Sequence, residues 1–237
     1  SMTNSIREIS RAKTIFVIGG NTTSTHPVIG LDLLKALKIG GKLIVANPKS
    51  IDLCRYTDVW LHHHPGTDVA LLMGMAKVIV DEGLYDKDFI EKRCDDFEKF
   101  KESLSNFDLD FAEATTGVPR DKIVKAARMY ATHKPSSILY GMGITQHTTG
   151  TDNVLAISNL ALLTGNIGKP STGINPLRGQ NNVQGSCDMG SLPNVYPGYQ
   201  KVNDQAVRQK FETAWGVKLS DSVGLTVGEI LEKAHHR

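Results

Sequence analysis

The chain has 237 residues, of which 40% are hydrophobic and 22% are charged. This composition is typical of a globular protein and excludes a disordered chain. The 27 basic and 25 acidic residues leave a formal net charge of +2, which argues against a general nucleic-acid binder. No apolar run approaches the roughly 20 residues that a membrane span needs, so we expect no membrane segment in this chain.

The start of the chain and the cysteines bear on its cellular compartment. Ser1 to Ser5 are polar and show no signal peptide, and Ser1 before Met2 indicates a cloning remnant. Cys54, Cys94 and Cys187 are too far apart for a CxxC metal motif or a disulfide framework. We therefore expect reduced thiols in a cytoplasmic protein and no iron–sulfur ligand set in this chain.

A strand–helix–strand unit is predicted near the start of the chain. Residues 14–18 and 42–46 are apolar, β-branched runs that end at Gly19-Gly20 and Asn47-Pro48, as buried parallel strands do. Between them a helix is predicted from Pro27 to about Lys38. We expect its apolar positions to form one buried face, made up of Val28, Leu31, Leu34 and Leu37.

Helices and strands continue to alternate along the chain. Further strands are predicted at residues 58–62 and 136–140. Further helices are predicted at residues 67–82, 86–93, 97–104, 118–132 and 152–164. This alternation predicts a doubly wound α/β fold, with a mostly parallel sheet flanked by helices, of the dinucleotide-binding kind.

The character of the sequence changes after Gly168. Residues 169–203 are rich in Gly, Pro, Asn and Gln and have no clear period, and a stretch of this kind is usually functional. Helices are predicted again at residues 204–215 and 226–235. We interpret residues 1–175 as one α/β domain and residues 176–237 as a loop followed by part of a second, neighbouring domain.

Four predicted strand ends carry groups that can bind a ligand. In the first turn, Gly19 and Gly20 let the backbone approach a ligand closely, and the polar residues that follow can bind an anion. The turn comprises Gly19, Gly20, Asn21, Thr22, Thr23, Ser24, Thr25 and His26. It is not a GxGxxG motif, and a simple helix cap by Ser24 or Thr25 remains the alternative.

The other three turns follow the second, third and fourth strands. Asn47, Pro48, Lys49, Ser50 and Ile51 lie where ribose hydroxyls are often bound, although a simple Asn-Pro turn is the alternative. Asp68, in the run Pro65-Gly66-Thr67-Asp68, can accept hydrogen bonds from guanine N1–H and N2–H₂, or with Thr67 cap a helix. The fourth turn runs from Gly141 through Met142 to Gln146, and its two glycines indicate backbone close to a ligand, although a plain strand-to-loop turn is the alternative. His62-His63-His64 is interpreted as a polar strand end, because adjacent strand residues point to opposite faces and do not converge on one metal.

The most unusual run begins at Asn175 and includes Arg178-Gly179-Gln180-Asn181-Asn182-Val183-Gln184-Gly185. Its guanidinium can clamp a carboxylate through two parallel hydrogen bonds, although a satisfied polar loop is the alternative. With Cys187-Asp188-Met189-Gly190 and Tyr196-Pro197-Gly198-Tyr199, this run closely resembles the catalytic subunit of molybdopterin-dependent formate dehydrogenases. Leu163-Thr164-Gly165-Asn166 and Pro65-Gly66-Thr67-Asp68 resemble the wider family of bis-(molybdopterin guanine dinucleotide) oxidoreductases. The resemblance extends from Met2 to the last predicted helix.

The resemblance implies a role for each turn. Residues 19–26, 47–51 and Gly66, Thr67 and Asp68 would bind one guanine dinucleotide arm, so that residues 1–175 would be the cofactor-binding domain. Met142 and Gln146 would contact the pterin. Arg178 would hold formate beside molybdenum or tungsten, with Gln180 near it. Family members often carry Asp at the position of Asn47 and Arg at that of Lys49, and the former departure weakens a charged ribose contact there.

The resemblance also implies what lies outside this chain. The Cys or selenocysteine metal ligand, the iron–sulfur domain and the second half of the dinucleotide site would belong to other parts of the subunit. The implied partners are formate, those other domains and electron-transfer subunits, with a periplasmic parent enzyme as the alternative to a cytoplasmic one. We expect the isolated chain to be inactive. Two alternatives stay open: another enzyme of the family, such as a nitrate reductase, and a non-catalytic guanine-nucleotide-binding domain.

Overall fold

The computed structural model describes residues 2–236, which divide into two compact units at the Leu177–Arg178 bond. The first unit contains a five-stranded sheet with the order β3-β2-β1-β4-β5, in which every neighbouring pair is parallel. The strands are β1 Thr14–Ile18, β2 Lys42–Ala46, β3 Val59–Leu61, β4 Ser136–Tyr140 and β5 Gly173–Pro176.

Helices cover both faces of this sheet, and the predicted doubly wound α/β fold is confirmed. Those of the first unit are α1 Thr22–Thr25, α2 Pro27–Lys38, α3 Asp68–Asp81, α4 Lys87–Arg93, α5 Phe97–Ser105, α6 Leu109–Thr116, α7 Arg120–Thr132, α8 Met142–Thr145 and α9 Gly150–Leu163. Two short 3-10 helices, Ile6–Arg11 and Asp52–Arg55, complete the set in this unit's described residues.

Two apolar clusters form the core, one on each face of the sheet. Phe16 and Ile18 of β1 belong to the cluster that includes α3, α7 and α9, whereas Ile15 and Val17 belong to the cluster that includes α2. Successive residues of a strand point to opposite faces, so a central strand covered on both sides is apolar at most of its positions. All five residues of β1 are buried, which explains why its sequence shows an apolar run and no alternation.

The predicted buried face of α2 is wrong. Val28 and Leu31 are 70% and 59% exposed, whereas Ile29, Leu33 and Ala36 are buried. A helix repeats every 3.6 residues, so positions separated by steps of three drift around its surface, while steps of four and three stay on one side. Ile29, Leu33 and Ala36, which are spaced i, i+4, i+7, therefore pack on the sheet. The predicted residues, spaced by three, run from the exposed Val28 and Leu31 to the half-buried Leu34 and Leu37.

Several elements of the irregular and polar stretches were not predicted. The strand β5 lies within the segment that we expected to have no regular structure, and it pairs with β4 from Ser137–Gly173 to Tyr140–Pro176. Pro176 is tolerated because β5 is an edge strand, where a missing N–H breaks no central ladder. The helix α6 ends at Gly117, whose φ of +71° gives the left-handed C-cap that glycine favours.

The second unit begins at Arg178 and is smaller. It contains the helices α10 Val183–Asp188, α11 Gln205–Trp215 and α12 Val227–His235, and an antiparallel pair of short strands, β6 Val195–Tyr196 and β7 Gln200–Lys201. Tyr196, Phe211 and Trp215 form an aromatic cluster, in which Phe211 lies 4.9 Å from each of the other two ring centroids. This cluster joins α11 to the β6 strand.

Candidate ligand-binding site

The order of the strands fixes where a ligand can bind in the first unit. From β1 the chain proceeds outward to β2 and β3, and then returns to the other side of β1 to form β4 and β5. The connections on the two sides leave the sheet in opposite directions, which opens a crevice between the carboxyl ends of β1 and β4. Ligands of open α/β sheets bind in this crevice.

Two glycines bring the turns after β1 and β4 into contact. The Gly143 N–H donates to the Gly19 carbonyl oxygen over 3.0 Å. A Cβ on Gly143 would lie 2.6 Å from that oxygen, and Gly19 has a φ of +57°. Neither position accommodates a side chain without moving backbone, so both glycines are required by this close approach.

A cavity of about 360 Å³ lies at the carboxyl edge of the sheet. That volume is within the range of small-molecule sites. It is lined by residues that follow each of the four strands β1 to β4: Gly19, Gly20, Asn21, Asn47, Pro48, Lys49, Ile51, His63, Pro65, Gly66, Asp68, Gly143 and His147. The four predicted strand-end turns therefore meet at one place.

The Asn47 side chain fixes one wall of this cavity. Its Oδ1 accepts from the Lys49 N–H over 2.9 Å, and its Nδ2 donates to the Gly20 carbonyl over 3.2 Å. The first bond is an Asx turn, and the second ties the turn after β2 to the turn after β1. The Trp60 indole donates to the Asn47 carbonyl over 3.0 Å. Both turns are thus held in place by side-chain bonds.

A buried histidine–aspartate pair forms another part of the wall. Nε2 of His63 lies 3.0 Å from Oδ1 of Asp68, and the two residues are 3% and 2% exposed. An ionised carboxylate can only accept hydrogen bonds, so Nε2 of His63 is the donor. No residue that the structure describes donates to Oδ2 of Asp68. The carboxylate therefore keeps acceptor capacity at a cavity wall, where a ligand N–H could reach it.

The structure separates the predicted cofactor-binding residues into two groups. Nine of them line the cavity: Gly19, Gly20, Asn21, Asn47, Pro48, Lys49, Ile51, Gly66 and Asp68. The other nine do not: Thr22, Thr23, Ser24, Thr25, His26, Ser50, Thr67, Met142 and Gln146. Four lining residues were not predicted, namely His63, Pro65, Gly143 and His147. Pro65 and Gly143 lie within motifs already singled out, whereas the burial of His63 between two exposed histidines had no sequence signal that we used.

The alternative roles considered for the Ser and Thr side chains as helix caps are wrong. The residue before α2 is His26, and no side-chain bond caps this helix; Thr25 instead donates to the Asn21 carbonyl over 3.0 Å. Thr67 precedes α3 but donates to the His64 carbonyl over 2.7 Å, and this helix too has no side-chain cap bond. Asp68 is the first residue of α3, where its negative charge suits the helix dipole.

A wider groove of about 740 Å³ runs along α7 and is not lined by any of these turns. Its cations already have partners. Arg120 pairs with Asp110 at 3.1 Å, Arg128 pairs with Glu82 at 2.8 Å, and Lys125 donates to the Asp58 carbonyl over 3.0 Å. Volume alone does not make a binding site, and the smaller cavity has the more suitable chemistry.

In the second unit, Arg178 starts a chain of polar contacts. Its Nη2 donates to Oε1 of Gln184 over 3.1 Å, and Nε2 of Gln184 donates to Oδ1 of Asp188 over 3.1 Å. Partial burial and a hydrogen bond with Asp188 raise the pKa of the Tyr199 phenol above its ordinary value. Gln180 lies just before α10, and its carbonyl accepts from the Val183 N–H over 3.4 Å.

Two further features bear on the class of site. Among residues 2–236, no three His, Cys, Asp or Glu side chains are grouped so that they could hold a metal ion. Over the same residues, no helix combines the length and apolar character that a membrane crossing requires. The three cysteines are free thiols.

Comparison with known proteins shows the family. The sequence model of the family described as "Molybdopterin oxidoreductase" matches residues 1–230. The chain is 46% identical over 234 residues, 99% of its length, to the F420-dependent formate dehydrogenase subunit alpha of Methanocaldococcus jannaschii, of which it covers 34%. It is 44% identical over its whole length to formate dehydrogenase H of Escherichia coli, of which it covers 33%. The chain thus spans about a third of the length of these curated relatives.

A solved structure agrees with this result. Acetylene hydratase from Pelobacter acetylenicus superposes with a TM-score of 0.65 at 32% sequence identity, over 70% of this chain and 25% of that one. The relatives above carry formate dehydrogenase names, so the same architecture occurs with different chemistries. The chain belongs to the molybdopterin oxidoreductase family.

Proposed function

We propose that the first unit binds the guanine nucleotide arm of molybdopterin guanine dinucleotide, and that the chain is part of a formate dehydrogenase catalytic subunit. The observation that carries the nucleotide proposal is the cavity at the carboxyl edge of the sheet. It combines glycine backbone at the β1–β4 crevice with a buried carboxylate. Family membership supports a molybdopterin cofactor, and the cavity supports its guanine nucleotide form.

Asp68 would recognise the base. Guanine has adjacent N1–H and N2–H₂ donors on one edge, and a carboxylate can accept from both. Adenine does not have this pair of donors. Oδ1 of Asp68 is already bonded to His63, but each carboxylate oxygen has two lone pairs, so both oxygens can still accept.

The turns after β1 and β2 would hold the sugar and the phosphates. The backbone at Gly19 and Gly20 can approach a phosphate closely, and Lys49 is a cation in the cavity wall. The amide of Asn47 makes two bonds within the protein, so its role would be to shape the wall rather than to supply a charged ribose contact. Residues 22–26, Ser50 and Thr67 would support these turns from behind, and Met142 and Gln146 would face the pterin.

Arg178 and Gln180 would act on the substrate. Formate is a small planar carboxylate, and a guanidinium orients such a group by two parallel hydrogen bonds while neutralising its charge. When bound, the metal–pterin group would supply the two-electron redox chemistry that turns formate into carbon dioxide. Arg178 would therefore be needed for orientation and Gln180 for the polar environment beside it. The names of the two relatives above support formate as the substrate.

The chain alone would not complete the reaction. In the intact enzyme, molybdenum or tungsten, its protein ligand, an iron–sulfur cluster and electron-transfer subunits would come from other segments and partners. We expect no formate-dependent dye reduction by the isolated 237-residue chain. Measurable turnover by that chain would contradict this division of roles.

Calorimetry tests the nucleotide proposal. The 237-residue chain is titrated with GMP, GDP and AMP under the same conditions. We expect GMP and GDP to bind and AMP to bind at least tenfold more weakly, because only guanine presents two donors to Asp68. Equal binding of AMP and GMP, or no binding of either, would contradict a guanine site in this cavity. An Asp88→Asn variant should bind GMP as tightly as the unmodified chain does, since Asp88 is an exposed carboxylate paired with Lys92 away from the cavity.

A further inference from the structure

His63 is the buried partner of the carboxylate to which the base is assigned. The residue is 3% exposed and lines the cavity, with Nε2 at 3.0 Å from Oδ1 of Asp68 and Nδ1 at 3.3 Å from the Leu61 carbonyl oxygen. The bond from Nε2 ties the ring to the Asp68 carboxylate. The histidines on either side of it are exposed, and their ring nitrogens contact the Pro48 and Thr115 carbonyls instead.

The simplest explanation for the burial of His63 is that its ring supplies a hydrogen-bond partner to the buried Asp68 carboxylate. That explanation accounts for Oδ1 of Asp68, which accepts from His63, but not for Oδ2. A carboxylate at this position has one observed donor, His63, and one oxygen without a partner among the described residues. The pair therefore leaves an acceptor oxygen facing the cavity. A buried carboxylate with both oxygens hydrogen-bonded would be lower in free energy, so the unpaired oxygen calls for an explanation.

The torsion that sets the plane of an aspartate carboxylate is soft and roughly two-fold. To accept from the N1–H and N2–H groups of guanine together, the carboxylate must be coplanar with the base. One directional hydrogen bond to one oxygen fixes the carboxylate torsion in the free protein. The entropy of ordering that torsion is then not lost again when the ligand binds. The His63 Nε2–H donates such a bond.

We propose that His63 is a positioning residue that fixes the Asp68 carboxylate for guanine recognition. The inference rests on the proposed nucleotide site and names a residue that supports its selectivity for the base by positioning Asp68. It predicts that loss of the His63 donor weakens discrimination between bases more than it weakens the hold on sugar and phosphate. A purely structural role would change stability and weaken all nucleotides alike.

The test compares GMP with IMP, which has the N1–H donor but lacks the N2 amino group. For the unmodified 237-residue chain we expect GMP to bind about tenfold more tightly than IMP, as for one hydrogen bond to a charged acceptor. His63→Leu, which removes the donor, should bring this ratio close to one. His63→Gln, which keeps an N–H donor, should retain part of it. His64→Leu is the matched control and should leave the ratio unchanged, because His64 does not contact Asp68.

The outcomes separate the two proposals. If the unmodified chain prefers GMP and His63→Leu keeps the same GMP-to-IMP ratio, His63 is not a positioning residue and the guanine site stands. If the unmodified chain shows no preference for guanine, the proposed site fails and this inference fails with it. A further measurement does not depend on the folding of any variant: the ¹⁵N chemical shifts of the His63 ring in the unmodified chain. A proton on Nε2 is expected, and an unprotonated Nε2 would overturn the proposal.

Discussion

The Gly143 N–H donates to the Gly19 carbonyl oxygen over 3.0 Å and joins the turns after β1 and β4. A Cβ on Gly143 would lie 2.6 Å from that same oxygen, so Gly143→Ala must displace backbone. Overpacking of this kind costs about 1–3 kcal/mol. We expect the variant to lose that much in free energy of unfolding by urea denaturation and to bind GMP more weakly.

Gly20→Ala is the matched control for this prediction. Gly20 lies next to Gly19 in the same turn, but its Cβ would lie 3.5 Å from the nearest atom, an ordinary contact, and its φ is not positive. We expect its unfolding free energy to change by less than about 1 kcal/mol. Equal losses in the two variants would mean that the close approach at Gly143 is not what requires glycine.

Asp68→Asn should change which base is bound. Asparagine has nearly the same shape as aspartate, and its Oδ1 can still accept from His63. Its Nδ2 would then face the guanine donors, and two donors cannot bond each other. We expect GMP affinity to fall by about 1–3 kcal/mol, or roughly tenfold to a hundredfold.

Xanthosine monophosphate extends this test. Xanthine has an oxygen where guanine has the N2 amino group, so the Nδ2 of the Asp68→Asn variant can donate to it. We expect the variant to bind XMP more tightly than the unmodified chain does, as measured by calorimetry. If both nucleotides lose affinity in parallel, Asp68 supports the fold and does not read the base.

The Asp86 carboxylate should make stability depend on pH at the acid end. Burial acts to raise its pKa, but the Phe89 N–H and the charges of Lys134 and Lys169 outweigh burial and hold the pKa below the ordinary value of 3.8. A carboxyl whose pKa is lowered by folding stabilises the protein above its unfolded-state pKa. That contribution is lost as the pH falls through the folded-state pKa.

Asp86→Asn isolates this contribution, because asparagine can still accept from the Phe89 N–H at the start of α4. We expect the variant to be less stable than the unmodified chain at pH 7 by on the order of 0.5–1 kcal/mol, since the lysine pairs are only partly buried. The difference should vanish as the pH is lowered below 3.8. Asp221→Asn, at an exposed site with no ion pair in the described residues, should show no such trend in denaturant midpoint. If the difference in unfolding free energy between Asp86→Asn and the unmodified chain persists at low pH, it arises from packing and not from the charge of Asp86.

Arg178→Lys tests the proposed substrate contact in the intact enzyme. Lysine keeps the positive charge but loses the planar fork that holds a carboxylate by two bonds. We expect kcat/KM for formate to fall by roughly a hundredfold, in line with the loss of a charge-assisted hydrogen bond and of orientation. Arg208→Lys in α11 is the matched control. A change in the Arg178 variant no larger than in the control would exclude a role in holding formate.

Much of the first unit follows from local sequence. The strands β1, β2 and β4 coincide with mostly apolar runs of five residues that stop at Gly or Asn-Pro, because a strand buried on both faces shows no regular alternation of polar and apolar residues. The strand β5 has only four residues and ends in Asn-Pro, so nothing local marks it. The segment becomes a strand because it pairs with the open edge of β4, and this tertiary contact cannot be predicted from the local sequence.

The site shows the same division. The turns containing Gly19, Asn47 and Asp68 were predictable, because Gly and short polar residues after a buried strand indicate a ligand-binding edge. The role of His63 was not, because the alternation of Val59 and Leu61 extends to the burial of His63 but does not show that its ring meets Asp68. The contact between Gly19 and Gly143 joins residues 124 positions apart, and it depends on the strand order.

The most direct test of the nucleotide proposal is a crystal structure of the 237-residue chain with bound GMP. The account predicts the base in the cavity at the carboxyl edge of the sheet, with N1 and N2 of guanine within hydrogen-bonding distance of the Asp68 carboxylate and the phosphate beside the Gly19-Gly20 turn. A nucleotide bound along α7, or a base in the cavity whose donor edge faces away from Asp68, would contradict it.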